Sequence, residues 1–331
     1  MLSSGMKILY VVDFSNWVYK FKYIFPNLTS VYCGVEYHTG VLHGFNQAIR
    51  SLSRSPLSFD RVVVCLDGYP QRSYELLPQY KRQRVHETTD TVWVSKKEVI
   101  QFLTQLGQVY GIPVSVVASY GQEADQVIAS VTHLALGRVD FLDRVQVTER
   151  SANEDSYLSS YGFQATPFEL GSGYDSVVIG SSDSDIYQLK GLGNVFMDSS
   201  QSGIRVDYSD FTPKAVHNLP PNLIPIYKAF VGDVSDNVPS LVQRRSSPKV
   251  VSAILELGDV DPDRWMSCFV DDLKQGRVSS SPSLRSYLVG SERELWNNYK
   301  IVRLKFETSP ELVSFPGYDV QSTFSKYSLE S

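Results

Sequence analysis

The chain has 331 residues, 42% of them hydrophobic, and a formal net charge of −5. That is enough for one large domain or two ordinary ones. The acidic balance argues against a nucleic-acid binder that works by bulk charge, though not against one with a local basic patch. No run approaches the 18 apolar residues of a membrane-spanning helix, and Met1 to Gly5 is too short and polar for a signal peptide. Cys33, Cys65 and Cys268 form no CxxC pair and no disulfide framework, which fits a reducing cytosol.

Ile8 to Val12 is an apolar, β-branched run that reads as a buried strand and ends in Asp13. A helix is expected next, with Ser15 or Asn16 as its cap. Cys33 to Thr39 reads as a turn or short hairpin. Gly40 to Leu52 reads as a helix with Val41, Phe45, Ala48, Ile49 and Leu52 facing inward. Val62 to Leu66 is a second strand, ending in Asp67. The segment from Gly68 to Arg84 interleaves Arg, Lys and Tyr, a composition that suits phosphate contact and base stacking as well as an ordinary solvated helix. It is expected to lie over the acidic edge, before a helix over Val92 to Gly107.

Val114 to Val117 is a third strand, followed by Glu123 and Asp125. Residues two apart diverge on a helix. Both acids reach one site if Glu123 sits at the N-cap and Asp125 in the first turn, where the helix dipole tolerates them. A helix is expected over Gln126 to Leu136. The poorly periodic stretch from about 137 to 172 reads as an insertion. Val177 to Ile179 is a fourth strand, leading to Asp183 and Asp185, which share one side if the backbone stays extended; helical spacing resumes at Ile186, Leu189 and Leu192. A fifth strand is expected at Asn194 to Met197 and a strand or edge at Ile204 to Tyr208. Thr212 opens a helix or turn, Ile224 to Val231 is helical, and Asp233 and Asp236 sit in a turn before a helix at Val250 to Leu257.

Four strands thus run into acid at their carboxyl ends. In open α/β sheets ligands bind outside those ends, so one acidic cluster on one edge of a parallel sheet is expected. Paired carboxylates need a cation between them or a shared proton, and an all-oxygen set suits a hard divalent ion. For any single acid a turn or cap role is an even competitor.

Five segments in this order resemble the flap endonuclease/5′→3′ exonuclease family, in its short phage and bacterial form. They are Val11-Val-Asp13-Phe-Ser-Asn16; Gly40-Val-Leu-His-Gly-Phe45; Asp67-Gly with Arg72 and Tyr80-Lys81-Arg82-Gln-Arg84; Glu123-Ala-Asp125; and Ser181-Ser-Asp183-Ser-Asp185, completed by Gly232-Asp233-Val-Ser-Asp236-Asn237. The resemblance implies an α/β fold with a mixed sheet between helices. A catalytic domain would span 6–215, with a helical arch at about 70–100. A helical region over 216–331 would carry a helix–three-turn–helix module at about 224–257.

It also implies two Mg²⁺ or Mn²⁺ ions. Asp67, Glu123 and Asp125 match the first ion's ligands, with Asp13 close by; Asp183, Asp185 and Asp233 match the second's, with Asp236 through water. Lys81 and Arg84 match the residues that engage the scissile phosphate. Lys20, Arg72, Tyr80, Arg82, Arg244, Arg245 and Lys249 are the further candidates for DNA contact. Many bacterial members carry a third acid where this chain has Gln126. The module's usual glycines are missing between Ser240 and Val251, which puts duplex affinity and a K⁺ ion there in question.

The implied partner is branched or 5′-ended duplex DNA, with RNA–DNA primers as a variant, beside replication proteins such as a polymerase or single-strand-binding protein. A monomer in the cytoplasm, the host's if phage-encoded, is expected. A PIN-like ribonuclease would share the sheet and acids but lack the Tyr-Lys-x-x-Arg and Gly-Asp-x-Ser-Asp-Asn segments. A catalytically inactive DNA-binding scaffold would gain nothing from the acids, which repel phosphate.

Overall fold

In a computed structural model the described residues are 5–82, 94–119, 121–138, 164–171, 173–198, 206–207, 216–242, 247–275, 284, 292–305, 310–314 and 318–329. The N-terminal run forms β1 (Ile8–Asp13), every residue of it buried. It leads directly into α1 (Phe14–Ile24). A hairpin, β2 (Thr29–Tyr32) and β3 (Val35–His38), forms a separate two-stranded sheet. Then come α2 (Gly40–Ser53), β4 (Arg61–Cys65) and the short α3 (Gln71–Leu76). After 83–93, α4 (Lys96–Tyr110) leads to β5 (Val114–Ala118) and α5 (Ala124–Ala135).

Beyond these lie β6 (Gln164–Pro167), β7 (Ser176–Gly180), a 3₁₀ helix (Asp185–Leu192), β8 (Val195–Asp198) and β9 (Val206–Asp207). The C-terminal third supplies α6 (Ile224–Val231), α7 (Ser247–Leu255), α8 (Pro262–Lys274), α9 (Glu292–Val302), β10 (Glu311–Ser314) and α10 (Val320–Tyr327).

The eight-stranded sheet has the order β6-β10-β5-β4-β1-β7-β8-β9. From β5 to β8 all neighbours are parallel, as the β-branched runs require for strands covered on both faces. The expected parallel sheet is therefore real but not the whole sheet. Antiparallel strands flank it: β10 with β6 on one side, β9 on the other. The strand order reverses between β1 and β7, the place where such sheets bind ligands.

One face of the sheet carries a core built around Phe14, Trp17, Phe21, Phe45, Phe102 and Leu103. Gly44 makes the α1–α2 contact possible, since a β-carbon there would stand 2.2 Å from the Phe21 ring. The other face packs Val127, Val131, Ile186, Ile226, Phe230 and Phe269 into a second core that joins α5 to the C-terminal helices.

Several local expectations change. The cap of α1 is Asp13 itself, accepting from the Asn16 amide at 3.0 Å, not Ser15 or Asn16. The helix expected from Val92 starts at Lys96, where Ser95 and Glu98 form a reciprocal capping box. Between Asp183 and Asp185 the backbone is not extended; the Asp183 carboxylate accepts from the Asp185 amide at 2.9 Å and turns the chain into the 3₁₀ helix. The stretch read as an insertion contains β6 at the sheet's edge, and its residues 139–163 lie outside the described ones. Thr212 also lies outside them.

Candidate metal centre

Each strand end delivers an acid to the edge where the strand order reverses. Asp13 closes β1 and accepts from the Ser181 hydroxyl, beyond β7, at 3.0 Å. That bond spans the switch point. Asp67, just after β4, accepts from the Ser15 hydroxyl and, at 3.0 Å, from the Ala124 amide at the start of α5. Glu123 is the N-cap residue of α5 and Asp125 lies in its first turn, the arrangement their spacing called for. Asp185 opens the 3₁₀ helix. Asp233 and Asp236 lie in the turn after α6, which a bridge between Asp233 and Val238 closes.

The acids feel one another. Burial first, then the charges of Asp67 and Asp183, push Asp13 up to about 6. Burial also raises Asp125 well above the ordinary range, with Glu123, Asp183 and Asp185 adding to the effect and Lys81 opposing it. Asp185 is pushed up to about 6 by burial, against the pull of Lys228. Carboxylates held this way are short of positive charge.

Two lysines supply part of it. The Lys81 ammonium bonds the Glu123 carboxylate and lies 3.4 Å from Asp236. The Lys228 ammonium bonds Asp185 and lies 2.7 Å from Asp233. Among the described residues, no three His, Cys, Asp or Glu side chains stand at a spacing that would enclose one ion. The donors, all hard oxygens, fit a divalent cation.

Lys81, the expected phosphate-contacting residue, thus rests on the acids. Tyr80, expected to contact DNA, is 3% exposed. Its hydroxyl donates to Glu123 at 2.7 Å and lies 3.1 Å from Asp236, so the ring is a brace for the carboxylates and is not offered to a base. The segment from Leu77 to Lys81 is anchored from below as well. The Lys81 amide donates to the Asp236 carbonyl, the Asn237 amide group to the Gln79 carbonyl, and Leu77, Tyr80, Val238 and Val302 share a small core.

Lys20 lies on α1 over the Trp17 ring, 5.1 Å from its centre. Arg72 lines a small pocket with Glu123, Asp125, Gln126 and Lys300. Arg82 and Lys249 are exposed. Arg84, Arg244 and Arg245 lie outside the described residues. Sequence reasoning missed Lys228, whose one signal was a lone lysine in the apolar helix five residues before Asp233. It also missed the contacts of Ser181 and Ser15 with the acids, although both lie inside the quoted segments, and Lys300, which carries no motif.

No protein-family model matches the sequence, and no curated protein is similar to it. Solved structures are. A bacteriophage T5 5′-exonuclease variant matches with a TM-score of 0.52 at 18% identity, over 89% of this chain and 87% of that one. A T5 protein co-crystallised with metal ions matches with a TM-score of 0.52 at 20% identity, over 89% of each chain. The T5 flap endonuclease in a pseudo-enzyme–product complex with DNA and metal ions matches at 0.50 and 20%, again over 89% of each. The chain has the 5′-nuclease fold. At this identity the likeness establishes the fold. Within that 5′-nuclease fold, the acids described above occupy the carboxyl edge of the central parallel strands.

Proposed function

We propose that this chain is a divalent-metal-dependent 5′-nuclease that hydrolyses phosphodiester bonds at 5′ ends or flaps of DNA. The observation that carries the reading is the gathering of Asp13, Asp67, Glu123, Asp125, Asp183 and Asp185 at one sheet edge, with Asp233 joined to Asp185 through Lys228 and Asp236 to Glu123 through Tyr80 and Lys81. A binding scaffold has no use for acids whose pKa burial and neighbouring carboxylates raise, as for Asp13 and Asp125. The T5 relatives in this fold are an exonuclease and a flap endonuclease, and one is complexed with DNA and metal ions.

Mg²⁺ or Mn²⁺ is the cofactor assigned, as two ions: Asp13, Asp67, Glu123 and Asp125 form the first ligand group, and Asp183, Asp185, Asp233 and Asp236 the second. Such a pair, when bound, supplies activation of the attacking water and stabilisation of the leaving 3′ oxygen. The chain's own residues do the rest. Tyr80 holds Glu123 and Asp236 in register. Lys81, once free of those acids, neutralises charge on the phosphoryl oxygens together with Arg84. Arg72, Arg82, Lys20, Lys249, Arg244 and Arg245 are assigned to backbone phosphates, a sequence-independent contact. Trimming of 5′ ends and RNA primers during replication is the matching task.

The test is a 5′-flap duplex labelled at either end, with and without Mg²⁺, beside an RNA-primed duplex. Wild type should cut near the junction only with metal. Asp183→Ala should lose at least about 10²-fold in turnover while still binding the duplex. Cleavage that survives the substitution would remove Asp183 from the centre. No cleavage of either substrate, with binding intact, would favour the inactive scaffold.

A further inference from the structure

Lys228 is placed where a lysine has no ordinary reason to be. It lies on α6 between Ile226, Tyr227, Ala229 and Phe230, all buried, and its own side chain is 9% exposed. Lysines are almost never buried unless paired, and this one is paired twice. Its ammonium bonds the Asp185 carboxylate, at the start of the 3₁₀ helix, and the Asp233 carboxylate at 2.7 Å, in the turn after its own helix. Asp233 is held in place by its bonds from the Ser235 amide at 2.8 Å and hydroxyl at 2.5 Å. The three groups come from two elements far apart in sequence and form a closed unit in which one ammonium faces two carboxylates. By contrast, among the described residues Asp13, Asp67 and Asp183 meet only hydroxyl and amide donors.

A divalent ion approaching Asp185 and Asp233 therefore finds their shared position taken by a like charge. At a separation of a few ångströms in a half-buried site, that repulsion is large compared with thermal energy. Both cannot sit between the two carboxylates. The lysine stem has four rotatable carbons, so the ammonium can withdraw without moving α6. We propose that Lys228 is a resident counter-cation of the Asp185–Asp233 pair, so that a divalent ion binds this pair only by displacing it and the centre loads in two unequal steps. The first ligand group, in which Asp13 and Asp67 meet no ammonium among the described residues and Lys81 bonds Glu123 alone of the group's acids, fills first. The lysine keeps the second group assembled in the metal-free protein and sets how much metal is needed to complete the centre. This inference rests on the metal-centre reading above.

The experiment is a Mn²⁺ titration of the full chain, with free Mn²⁺ counted by its paramagnetic resonance and no nucleic acid present. Wild type is expected to show a tight and a weak class of site separated by at least tenfold. Lys228→Met, which keeps the stem and removes the charge, should tighten the weak class at least tenfold and leave the tight class within about twofold. Lys228→Arg should keep it weak, and Lys81→Met, at the other acid pair, should not reproduce the tightening. Melting in EDTA should show Lys228→Met less stable than wild type, with a larger rise on adding Mn²⁺.

A lysine that merely supports structure would on removal weaken metal binding, so an unchanged or weaker second class in Lys228→Met overturns the proposal. Should Lys228→Met fail to fold, a tightened weak class in Lys228→Arg, or two equal classes in wild type, overturns it as well. Wild type binding no Mn²⁺ would instead overturn the metal-centre reading, and this inference with it.

Discussion

Gly232 ends α6 with φ at +72°, and a β-carbon there would stand 2.4 Å from the Val238 carbonyl oxygen and 2.6 Å from the Pro239 carbonyl carbon. Those are backbone atoms, so no side chain can swing aside. The left-handed conformation alone costs an ordinary residue about 1–3 kcal/mol, and the clash adds to it. Gly232→Ala should therefore lower stability by at least about 2 kcal/mol, read as a lower denaturant midpoint with unchanged slope. It should also open the Asp233–Val238 bridge that aims both acids of the turn. An unchanged midpoint would mean that the turn is not built this way. At this scale the acids were legible because a strand followed by a carboxylate is a local pattern, repeated four times. Lys228 was not, because what defines it is its contact with Asp185, 43 positions away, and nothing in the apolar helix around it announces that contact. Tyr80 misled for a related reason: interleaved Arg, Lys and Tyr describe a nucleic-acid surface and a braced acid equally well until burial is known.

Among the elements, long helices and β-branched strands were legible because their periods are set by burial of one face. Among the short ones, β9 falls inside the strand or edge expected at Ile204 to Tyr208. β10 was not foreseen, because its four residues form a strand only through pairing with the distant β5 and β6, and the 3₁₀ helix at Asp185 is chosen by the Asp183 side chain rather than by its spacing. α5 shows how tertiary packing overrides a helix's own preference. His133 lies in its last turn, where the helix dipole would favour a cation. Burial, and then the Arg303 guanidinium, hold its pKa down to about 4 from 6.5, with Arg138 also opposing charge and Asp263 favouring it. Between those values the unfolded chain carries a proton that the folded chain lacks, so stability is lost as pH falls from about 6.5 towards 4. The loss from about pH 7.5 to 5 should be about 2 kcal/mol. Denaturant titrations of wild type and His133→Gln at both values would check it. The variant should lose that share of the acid sensitivity; an identical fall in both proteins would show that the histidine is not held neutral by the fold.

For the whole molecule, the expected division into two regions conceals how the chain closes on itself. After α9 the chain returns to the eight-stranded sheet. β10 inserts between β5 and β6, and α10 lays Phe324 edge-on against Phe102 of α4. Lys326 and Tyr327 both reach Glu98, at 2.6 and 2.8 Å, the residue that completes the α4 capping box. The N-terminus of α4 is thus held by the last helix described. Two terms of different size act here. The Lys326–Glu98 pair is 29% and 30% exposed, and such pairs contribute about 0–1 kcal/mol. Val313, Val320, Phe324 and Tyr327 are buried, and at about 1.5–3 kcal/mol for each side chain they contribute on the order of 6–12 kcal/mol, an upper bound. Apolar burial therefore dominates. Lys326→Met should shift stability by less than about 1 kcal/mol. A chain ending at residue 305 should lose most of the roughly 5–15 kcal/mol typical of a folded domain and fail to give a cooperative melt, including the sheet that holds Asp13 and Asp67. If the shortened chain melts like the full one, α10 and β10 are appendages and the acidic edge stands without them. If Lys326→Met alone abolishes the transition, the charge pair holds α4, and the apolar contacts matter less than their area implies.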